Sequence, residues 1–297
     1  MLLEPVTLIC GAYGQLGREL QAAPPAGTHL MACGRQELDI TSRPAIERFL
    51  DEHAITTVIN ASAYTAVDRA ESEAKLAHAI NAQGPANLAK LCADRGLRLL
   101  HVSTDFVFDG SSGTPYAPTD TTHPLGVYGA SKREGELAVL DSGANAIVLR
   151  TSWVYSRHGS NFVKTMLQLM TTRDQLTVVD DQIGTPTWAR SLAQCAWSLL
   201  ANKLAVGVYH WSDAGACSWF DFACAIRDEA RDLGLIEQAA DILPIPASDY
   251  PTPATRPAYS VLDKSATRTM LGYTGNHWRD NLRAMLEDWS KTEGVMP

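Results

Sequence analysis

Tyr128 and Lys132, in Tyr128-Gly-Ala-Ser-Lys132, are the side chains whose types and spacing most clearly indicate chemistry. A separation of four residues puts a phenol and an ammonium on the same face of a helix. A free phenol has a pKa of about 10, and a neighbouring ammonium is expected to lower that pKa toward neutrality. Tyr128 could then protonate the alkoxide that forms when a hydride reduces a ketone. Thr104, at the end of an apolar run, would hydrogen-bond the carbonyl oxygen and polarise it.

Three glycines mark a second candidate site, which would hold phosphate groups. Gly11, Gly14 and Gly17 follow the apolar run from Val6 to Cys10 and open a segment of helical character. Glycines at such a turn let backbone amides approach a pyrophosphate at the positive end of the helix. The G-x-x-G-x-x-G spacing differs from the simpler dinucleotide fingerprint and resembles the short-chain dehydrogenase/reductase superfamily. We therefore predict a dinucleotide cofactor.

The end of the second predicted strand bears on which nicotinamide cofactor binds. An acid at that point bonds the free ribose 2′-hydroxyl of NAD(H), whereas an arginine accommodates the 2′-phosphate of NADP(H). Here the strand ends Cys33-Gly34-Arg35, without an acid and with a guanidinium beside the turn. NADPH is therefore the favoured cofactor. Asp39, a few residues on, could sit near the adenine instead, which leaves NADH as an alternative.

The elements that must position these residues follow from the hydrophobic pattern. Apolar runs of strand length alternate with segments of helical period, which predicts an α/β fold with a doubly wound, Rossmann-like parallel sheet. The predicted strands are Val6 to Cys10, His29 to Cys33, Thr57 to Asn60, Leu97 to Ser103 and Ala146 to Arg150. The predicted crossover helices are Pro44 to His53 and Lys75 to Arg95.

After residue 150 the pattern changes, because glycine, proline and tryptophan become more frequent. We predict that a smaller C-terminal α/β substrate subdomain begins there. The expected division is 1–152 plus 185–215 for the cofactor domain and 153–184 plus 216–297 for the substrate subdomain. Within the latter, Ser218-Trp-Phe-Asp221 predicts a helix start with a capping box, and Trp278 to Trp289 predicts a terminal amphipathic helix.

Composition limits the partners of the chain. The 297 residues carry 25 basic and 33 acidic side chains, a formal charge of −8, and no basic run, so neither nucleic acid nor a membrane is an expected partner. No apolar run is long enough to span a bilayer, and we expect a cytoplasmic protein. The six cysteines lack C-x-x-C spacing and are expected to be buried free thiols. No acidic or histidine cluster has ligand spacing, so we assign no metal site and leave a divalent metal requirement open.

Several longer motifs together resemble one family, dTDP-4-dehydrorhamnose reductase, within the extended short-chain reductases. The motifs are Asn60-Ala-Ser-Ala-Tyr-Thr-Ala-Val-Asp68, Ser103-Thr-Asp-Phe-Val-Phe-Asp109, Val127-Tyr-Gly-Ala-Ser-Lys132, Arg150-Thr-Ser-Trp-Val-Tyr155 and Tyr250-Pro-Thr-Pro-Ala-Thr-Arg-Pro257. The similarity runs nearly end to end. It implies NADPH-dependent reduction of the C4 ketone of dTDP-4-dehydro-L-rhamnose to dTDP-L-rhamnose, the last step in making activated rhamnose for surface polysaccharide.

The resemblance also implies roles for individual residues. For the cofactor it implies contacts by Gly14, Gln15 and Leu16 of the phosphate loop, by the adenine-side Asp39 and Ile40, and by a wall of Ala63, Tyr64 and Thr65. Gly11, Gly17, Arg35, Tyr128 and Lys132 join these cofactor contacts from the patterns described above. The implied catalytic residues are Thr104, Tyr128 and Lys132. The substrate contacts are Thr104, Asp105 and Trp153 for the hexose, Gln182 at the subdomain boundary, and Arg256, whose guanidinium fork suits a diphosphate.

Other functions share these features. Another nucleotide-sugar 4-ketoreductase, or an epimerase that keeps its NAD(H) bound, would use the same pair of Tyr128 and Lys132. A third alternative is a non-catalytic subunit, because the family also resembles the regulatory subunit of methionine adenosyltransferase. The intact set of Thr104, Tyr128 and Lys132 argues against a purely regulatory role. A homodimer is compatible with the sequence.

Overall fold

A computed structural model describes residues 6–237 and 239–293 of the chain. Its strands are β1 (Val6–Cys10), β2 (His29–Cys33), β3 (Ile55–Asn60), β4 (Arg98–Thr104), β5 (Asn145–Thr151), β6 (Val154–Tyr155), β7 (Gln175–Val179), β8 (Ile183–Gly184), β9 (Thr187–Trp188), β10 (Gly207–His210), β11 (Cys217–Ser218) and β12 (Asp241–Ile245). Its helices are α1 (Gln15–Ala22), α2 (Arg43–Glu52), α3 (Val67–Ala70), α4 (Ala74–His78), α5 (Gly84–Arg95), α6 (Val127–Leu140), α7 (Phe162–Thr172), α8 (Ala189–Ala201), α9 (Trp219–Asp232), α10 (Ser265–Leu271) and α11 (Trp278–Glu293).

The main sheet has six strands in the order β10-β5-β4-β3-β1-β2, and every neighbouring pair is parallel. The chain leaves β1 toward β2 and then returns to the other side of β1 to form β3. The strand order therefore reverses at β1, and ligands of such sheets bind at the carboxyl ends of the strands beside this switch point.

Helices cover both faces of this sheet. One face packs against α2, α5 and α6 through a core that includes Leu8, Ile46, Leu88 and Val139. The other face packs against α1 and α8. Strands that are buried on both faces have continuous apolar sequences, and for this reason they could be predicted from the sequence. The predicted fold class is confirmed.

A further core lies in the C-terminal half of the chain, where α7, α9 and α11 pack around the short parallel pair β7 and β12. The predicted capping box is present at the start of α9: the Ser218 side chain accepts a hydrogen bond from the Asp221 backbone, and the Asp221 carboxylate accepts one from the Ser218 backbone. The terminal helix begins at Trp278, as predicted, and extends beyond Trp289 to Glu293.

The bounds of β4, β5 and α2 lie within one residue of the prediction, and two local details differ by more. β3 starts at Ile55, two residues before the predicted Thr57, because Ile55 pairs with Val6 ahead of a register shift. The predicted helix from Lys75 to Arg95 is interrupted by a π-helical turn at Ala79–Gln83. All six cysteines are free thiols, five of them buried and Cys224 partly exposed.

Candidate active site

The glycine loop lies between β1 and α1 at the switch point. Gly11 has a positive φ of 84°, and a Cβ there would lie 2.7 Å from the backbone nitrogen of Ser62. A Cβ on Gly17 would lie 2.2 Å from the carbonyl oxygen of Gly11. Gly14 is the N-cap of α1, and no side chain caps this helix. The uncapped first turn can therefore direct backbone N–H groups at a phosphate, and these residues fit a dinucleotide.

The end of β2 carries two opposite charges. Arg35 has an exposed side chain and forms an ion pair with Asp39, in which its Nε lies 3.7 Å from a carboxylate oxygen. Asp39 also accepts hydrogen bonds from the backbone and hydroxyl of Thr41. Glu37 turns back toward the strand and accepts a hydrogen bond from the backbone N–H of Gly34 at 2.9 Å. Ile40 is buried beside this turn.

The segment after β3 is tied to the π-helical turn. The Asn81 amide accepts a hydrogen bond from the Tyr64 backbone N–H and donates one to the Tyr64 carbonyl oxygen. It also donates to the hydroxyl of Ser131, the residue next to Lys132. Ala63 and Thr65 are exposed on either side of Tyr64. Asn81 thereby holds the predicted cofactor wall against the helix that carries the catalytic pair.

The predicted catalytic residues meet where β4 ends and α6 begins. Thr104 is the last residue of β4, and its hydroxyl donates to the Asp105 carboxylate at 3.0 Å. Tyr128 lies in the first turn of α6, and Lys132 follows one turn later. The buried Lys132 Nζ donates to the carbonyl oxygen of Val102 at 2.7 Å. An ammonium has three donors, so this bond leaves two for a ligand.

Burial dominates the acid–base properties of these groups. It raises the pKa of Tyr128 to about 12, with the hydrogen bond between Tyr128 and Thr104 opposing the shift and the charge of Asp105 reinforcing it. It lowers the pKa of Lys132 to about 8, partly offset by the Glu136 carboxylate. It raises the pKa of Asp105 to about 6, against the effect of the Ser260 and Thr104 hydroxyls.

The expectation that Lys132 lowers the pKa of Tyr128 is therefore wrong for the protein by itself. The desolvated phenol is harder to ionise, and the groups that act on its pKa are Thr104 and Asp105, without Lys132. A raised pKa keeps the Tyr128 phenol protonated at neutral pH. This is the form that a proton donor in a reduction requires.

A buried ion pair supports the helix from behind. Glu136, one turn beyond Lys132, accepts two hydrogen bonds of 2.8 Å from Arg150 of β5, which forms a bidentate pair. Both side chains are almost fully buried. Arg150 also lies over the ring of Phe108, 5.1 Å from its centroid. These contacts fix α6 to the sheet and hold Lys132 at the carboxyl edge.

A groove of about 500 Å³ lies beside α7 and β7. Its lining includes two of the predicted substrate residues, Gln182 and Arg256, together with Phe162 and Trp219. Trp153 does not line it. The Trp153 ring instead stacks on the Trp219 ring at a centroid distance of 3.6 Å, so the predicted tryptophan supports the one at the groove. Trp153 also has a left-handed backbone, with φ of 45°.

The chain segment that follows Arg256 connects the lining of the groove to Asp105. Ala258 and Ser260 form backbone hydrogen bonds with Ile183, the neighbour of Gln182. Ser260 is also close enough to Asp105 to lower its pKa. The structure thus brings Asp105, Gln182 and Arg256 to one region, with Trp153 behind it.

Arg256 has a carboxylate partner that the sequence did not indicate. Its two terminal nitrogens lie 3.1 and 2.9 Å from the two carboxylate oxygens of Asp68. Arg256 also donates to the Thr252 hydroxyl and to the Ala254 carbonyl oxygen. Asp68 belongs to α3, so this ion pair joins the segment after β3 to the loop that lines the groove.

Sequence reasoning missed Trp219, Asp68 and Glu37. The capping box predicts the helix that starts at Trp219. It does not predict that the Trp219 indole lines the groove. Asp68 lies in a quoted motif, yet its partner is 188 residues away. Glu37 lies outside the strand end, and only the turn brings its carboxylate back to Gly34.

The part of the chain that the structure describes contains no group of three or more His, Cys, Asp or Glu side chains that could hold a metal ion. Within that same part, no helix is both long enough and apolar enough to cross a membrane.

Comparison with known proteins assigns the family. The family model described as RmlD substrate binding domain matches residues 6–291, nearly the whole chain. The chain belongs to this family. The resemblance predicted from the motifs is confirmed.

Relatives and solved structures of the RmlD family match this chain over more than nine-tenths of its length. The chain is 41% identical to dTDP-4-dehydrorhamnose reductase of Aggregatibacter actinomycetemcomitans over 291 residues, which cover 94% of this chain and 99% of that protein. It is 39% identical to dTDP-4-keto-6-deoxy-D-glucose reductase of Streptomyces niveus, over 91% of this chain and 93% of that protein. The crystal structure of dTDP-4-dehydrorhamnose reductase from Bacillus anthracis in complex with NADP superposes with a TM-score of 0.90 at 34% identity, covering 96% and 100% of the two chains.

Proposed function

We propose that this protein reduces the C4 ketone of dTDP-4-dehydro-L-rhamnose to dTDP-L-rhamnose with NADPH. The observation that carries the proposal is the grouping of Thr104, Tyr128 and Lys132 at the carboxyl end of β4, where Tyr128 bonds Thr104 and Lys132 donates to Val102. Full-length relatives named for this reaction support it.

The proton steps follow from the catalytic residues. In this proposal the Thr104 hydroxyl turns its proton from Asp105 to the C4 oxygen, where it and the Tyr128 hydroxyl stabilise the negative charge that develops. Tyr128, protonated at neutral pH, transfers its proton to that oxygen, and the charge of Lys132 stabilises the tyrosinate left behind. Bound NADPH supplies the hydride. The two remaining donors of Lys132 would hold the hydroxyls of the nicotinamide ribose.

The cofactor binds along the loop and the carboxyl edge in this proposal. Gly11, Gly14, Gln15, Leu16 and Gly17 contact the pyrophosphate at the uncapped start of α1. Asp39 and Ile40 lie on the adenine side, and Ala63, Tyr64 and Thr65 line the dinucleotide.

The groove holds the nucleotide end of the substrate in the same proposal. Arg256, whose terminal nitrogens are held by Asp68, would direct its remaining N–H donors at the diphosphate. Gln182 and Asp105 would bind polar groups, and the indole of Trp219, backed by Trp153, offers a flat apolar surface. The proposal includes the division into 1–152 plus 185–215 and 153–184 plus 216–297. It also includes action in the cytoplasm, and a homodimer stays a prediction.

A second candidate is the reduction of a related 4-ketone, dTDP-4-keto-6-deoxy-D-glucose, without prior epimerisation. The 39% identity to the Streptomyces niveus reductase named for that sugar favours this alternative. The two candidates share every catalytic residue and differ only in sugar stereochemistry.

The deciding experiment offers enzymatically prepared dTDP-4-keto-6-deoxy-D-glucose with NADPH, with and without the 3,5-epimerase. We expect NADPH absorbance to fall only when the epimerase is present, with dTDP-L-rhamnose as the product. Oxidation of NADPH without the epimerase assigns the second candidate. No oxidation under either condition, while NADPH still binds, contradicts both and favours a non-catalytic role.

A further inference from the structure

The turn after β2 brings the Glu37 carboxylate next to position 34, directly after the strand, where the sequence has a glycine and no acid. Gly34 follows the last residue of the strand, and a Cβ built on it would lie 2.5 Å from the ring of Tyr13 and 3.0 Å from Oε2 of Glu37. The ring and the carboxylate therefore occupy the space that a side chain at position 34 would fill. An acid located three residues later in the sequence reaches the strand end by this route.

The Glu37 carboxylate is held there by two hydrogen bonds. Its Oε1 accepts from the Tyr13 hydroxyl and its Oε2 from the Gly34 backbone N–H, each at 2.9 Å. Tyr13 belongs to the glycine loop itself, so the carboxylate bridges the loop and the strand end. These hydrogen bonds hold the pKa of Glu37 below its usual value, and each oxygen keeps a further acceptor position.

The place of this carboxylate in the fold matches the ribose site of a dinucleotide. In doubly wound sheets, the acid at the end of the second strand accepts a hydrogen bond from the ribose 2′-hydroxyl. Arg35 stands in the same turn but is 69% exposed and pairs with Asp39. A 2′-hydroxyl would thus meet an acceptor held by two hydrogen bonds, and a 2′-phosphate would meet an anion and an exposed guanidinium paired with Asp39.

We propose that Glu37 determines which cofactor binds. Its carboxylate accepts a hydrogen bond from the 2′-hydroxyl of NAD(H) and repels the 2′-phosphate of NADP(H). Arg35 acts in the opposite direction, because its guanidinium favours the 2′-phosphate. The inference rests on the proposed function, because it requires that a nicotinamide dinucleotide binds at the glycine loop.

The test measures the affinities of NADP⁺ and NAD⁺ by calorimetry in wild type, Glu37→Gln and Arg35→Ala. Glu37→Gln should raise the affinity for NADP⁺ by about 2- to 5-fold, because the opposing charge is exposed and partly screened. It should lower the affinity for NAD⁺ by about 3- to 10-fold through the loss of a charged acceptor. Arg35→Ala should weaken NADP⁺ by about tenfold and leave NAD⁺ within about twofold.

Glu52→Gln is the matched control. Glu52 is exposed at the far end of α2, on the side of the sheet away from the ligand edge, and its substitution makes the same change in net charge. It should change neither affinity. Glu37→Asp provides a second variant, which keeps the charge but retracts it, and should weaken NAD⁺ without strengthening NADP⁺.

The outcomes separate this inference from the proposed function. Equal changes in both affinities for Glu37→Gln, or the same changes in Glu52→Gln, overturn the role of Glu37 while ketone reduction by wild type still stands. If wild type binds neither dinucleotide, the proposed function itself fails.

Discussion

At the scale of single residues, the chemistry depends on which protonation states burial imposes. Burial raises the pKa of Tyr128 to about 12 and lowers the pKa of Lys132 to about 8. The phenol is kept neutral, while the ammonium is close to losing its proton. The reduction needs a protonated phenol and a charged ammonium, and at neutral pH both groups are in those forms.

The role of Tyr128 is tested by Tyr128→Phe. The change removes the proton donor and almost no apolar surface, so turnover should fall by at least about 100-fold. NADPH affinity, measured by fluorescence titration, should stay within about twofold, because the phenol acts on the substrate in the reaction step. Turnover within a factor of about two of wild type would show that another group donates the proton.

The dependence of kcat/KM on pH should reflect the protonation states of Asp105 and Lys132. As pH rises through about 8, Lys132 loses its charge and kcat/KM should fall. As pH drops through about 6, the Asp105 carboxylate becomes protonated, loses its capacity to accept from a sugar hydroxyl, and kcat/KM should fall again. The profile should therefore be bell-shaped.

Asp105→Asn should remove the acid limb of that profile and keep the alkaline limb, at a lower maximum. Steady-state rates from about pH 5 to about pH 10 measure both limbs. An acid limb that persists in Asp105→Asn would assign it to a different group.

At the scale of elements, the catalytic helix is located by close backbone contacts. α6 meets the π-helical turn at Gly135, where a Cβ would lie 2.1 Å from the carbonyl oxygen of Asn81. The side chain of the same Asn81 holds both Tyr64 and Ser131. Only a glycine allows α6 this approach, which sets the distance between the cofactor wall and Lys132.

Gly135→Ala should therefore lower the free energy of unfolding by about 1–3 kcal/mol, because neither backbone can move aside without breaking its own hydrogen bonds. Thermal unfolding measures the loss. Gly113→Ala is the control, since a Cβ at Gly113 meets no atom within 4 Å. Equal midpoints for the two variants would contradict a close contact at Gly135.

At the scale of the whole molecule, the proposed site lies between the main sheet and the C-terminal core. The loop that carries Arg256 is joined to α3 by Asp68, and Trp219 extends from the C-terminal core into the groove. A substrate bound there would contact both parts of the chain. Its nucleotide diphosphate should supply much of the affinity, because free rhamnose has neither phosphates for Arg256 nor a base for stacking.

Hydrogen exchange tests this arrangement. Binding of dTDP or dTDP-rhamnose should slow amide exchange around Arg256, Trp219 and Trp153, and free rhamnose at the same concentration should barely change it. Mass-spectrometric exchange on the full chain gives the regional values. Equal protection by free rhamnose, or none by dTDP, would indicate a different carbonyl substrate.

The sequence by itself determined the fold class, the glycine loop, and the positions of Thr104, Tyr128 and Lys132. Each of these depends on local spacing: an apolar run for a buried strand, glycines at a strand-to-helix turn, and a separation of four residues on a helix. β1 and β2 have the predicted bounds for the same reason.

Only the tertiary structure decided the pKa of Tyr128, the pairing of Arg256 with Asp68, the stacking of Trp153 on Trp219, and the return of Glu37 to Gly34. These features depend on burial and on partners from distant parts of the chain or across a folded turn, such as the 188 positions between Asp68 and Arg256. Local spacing does not encode which groups lose water or which side chains meet. Desolvation and long-range packing do, and both arise only when the chain has folded.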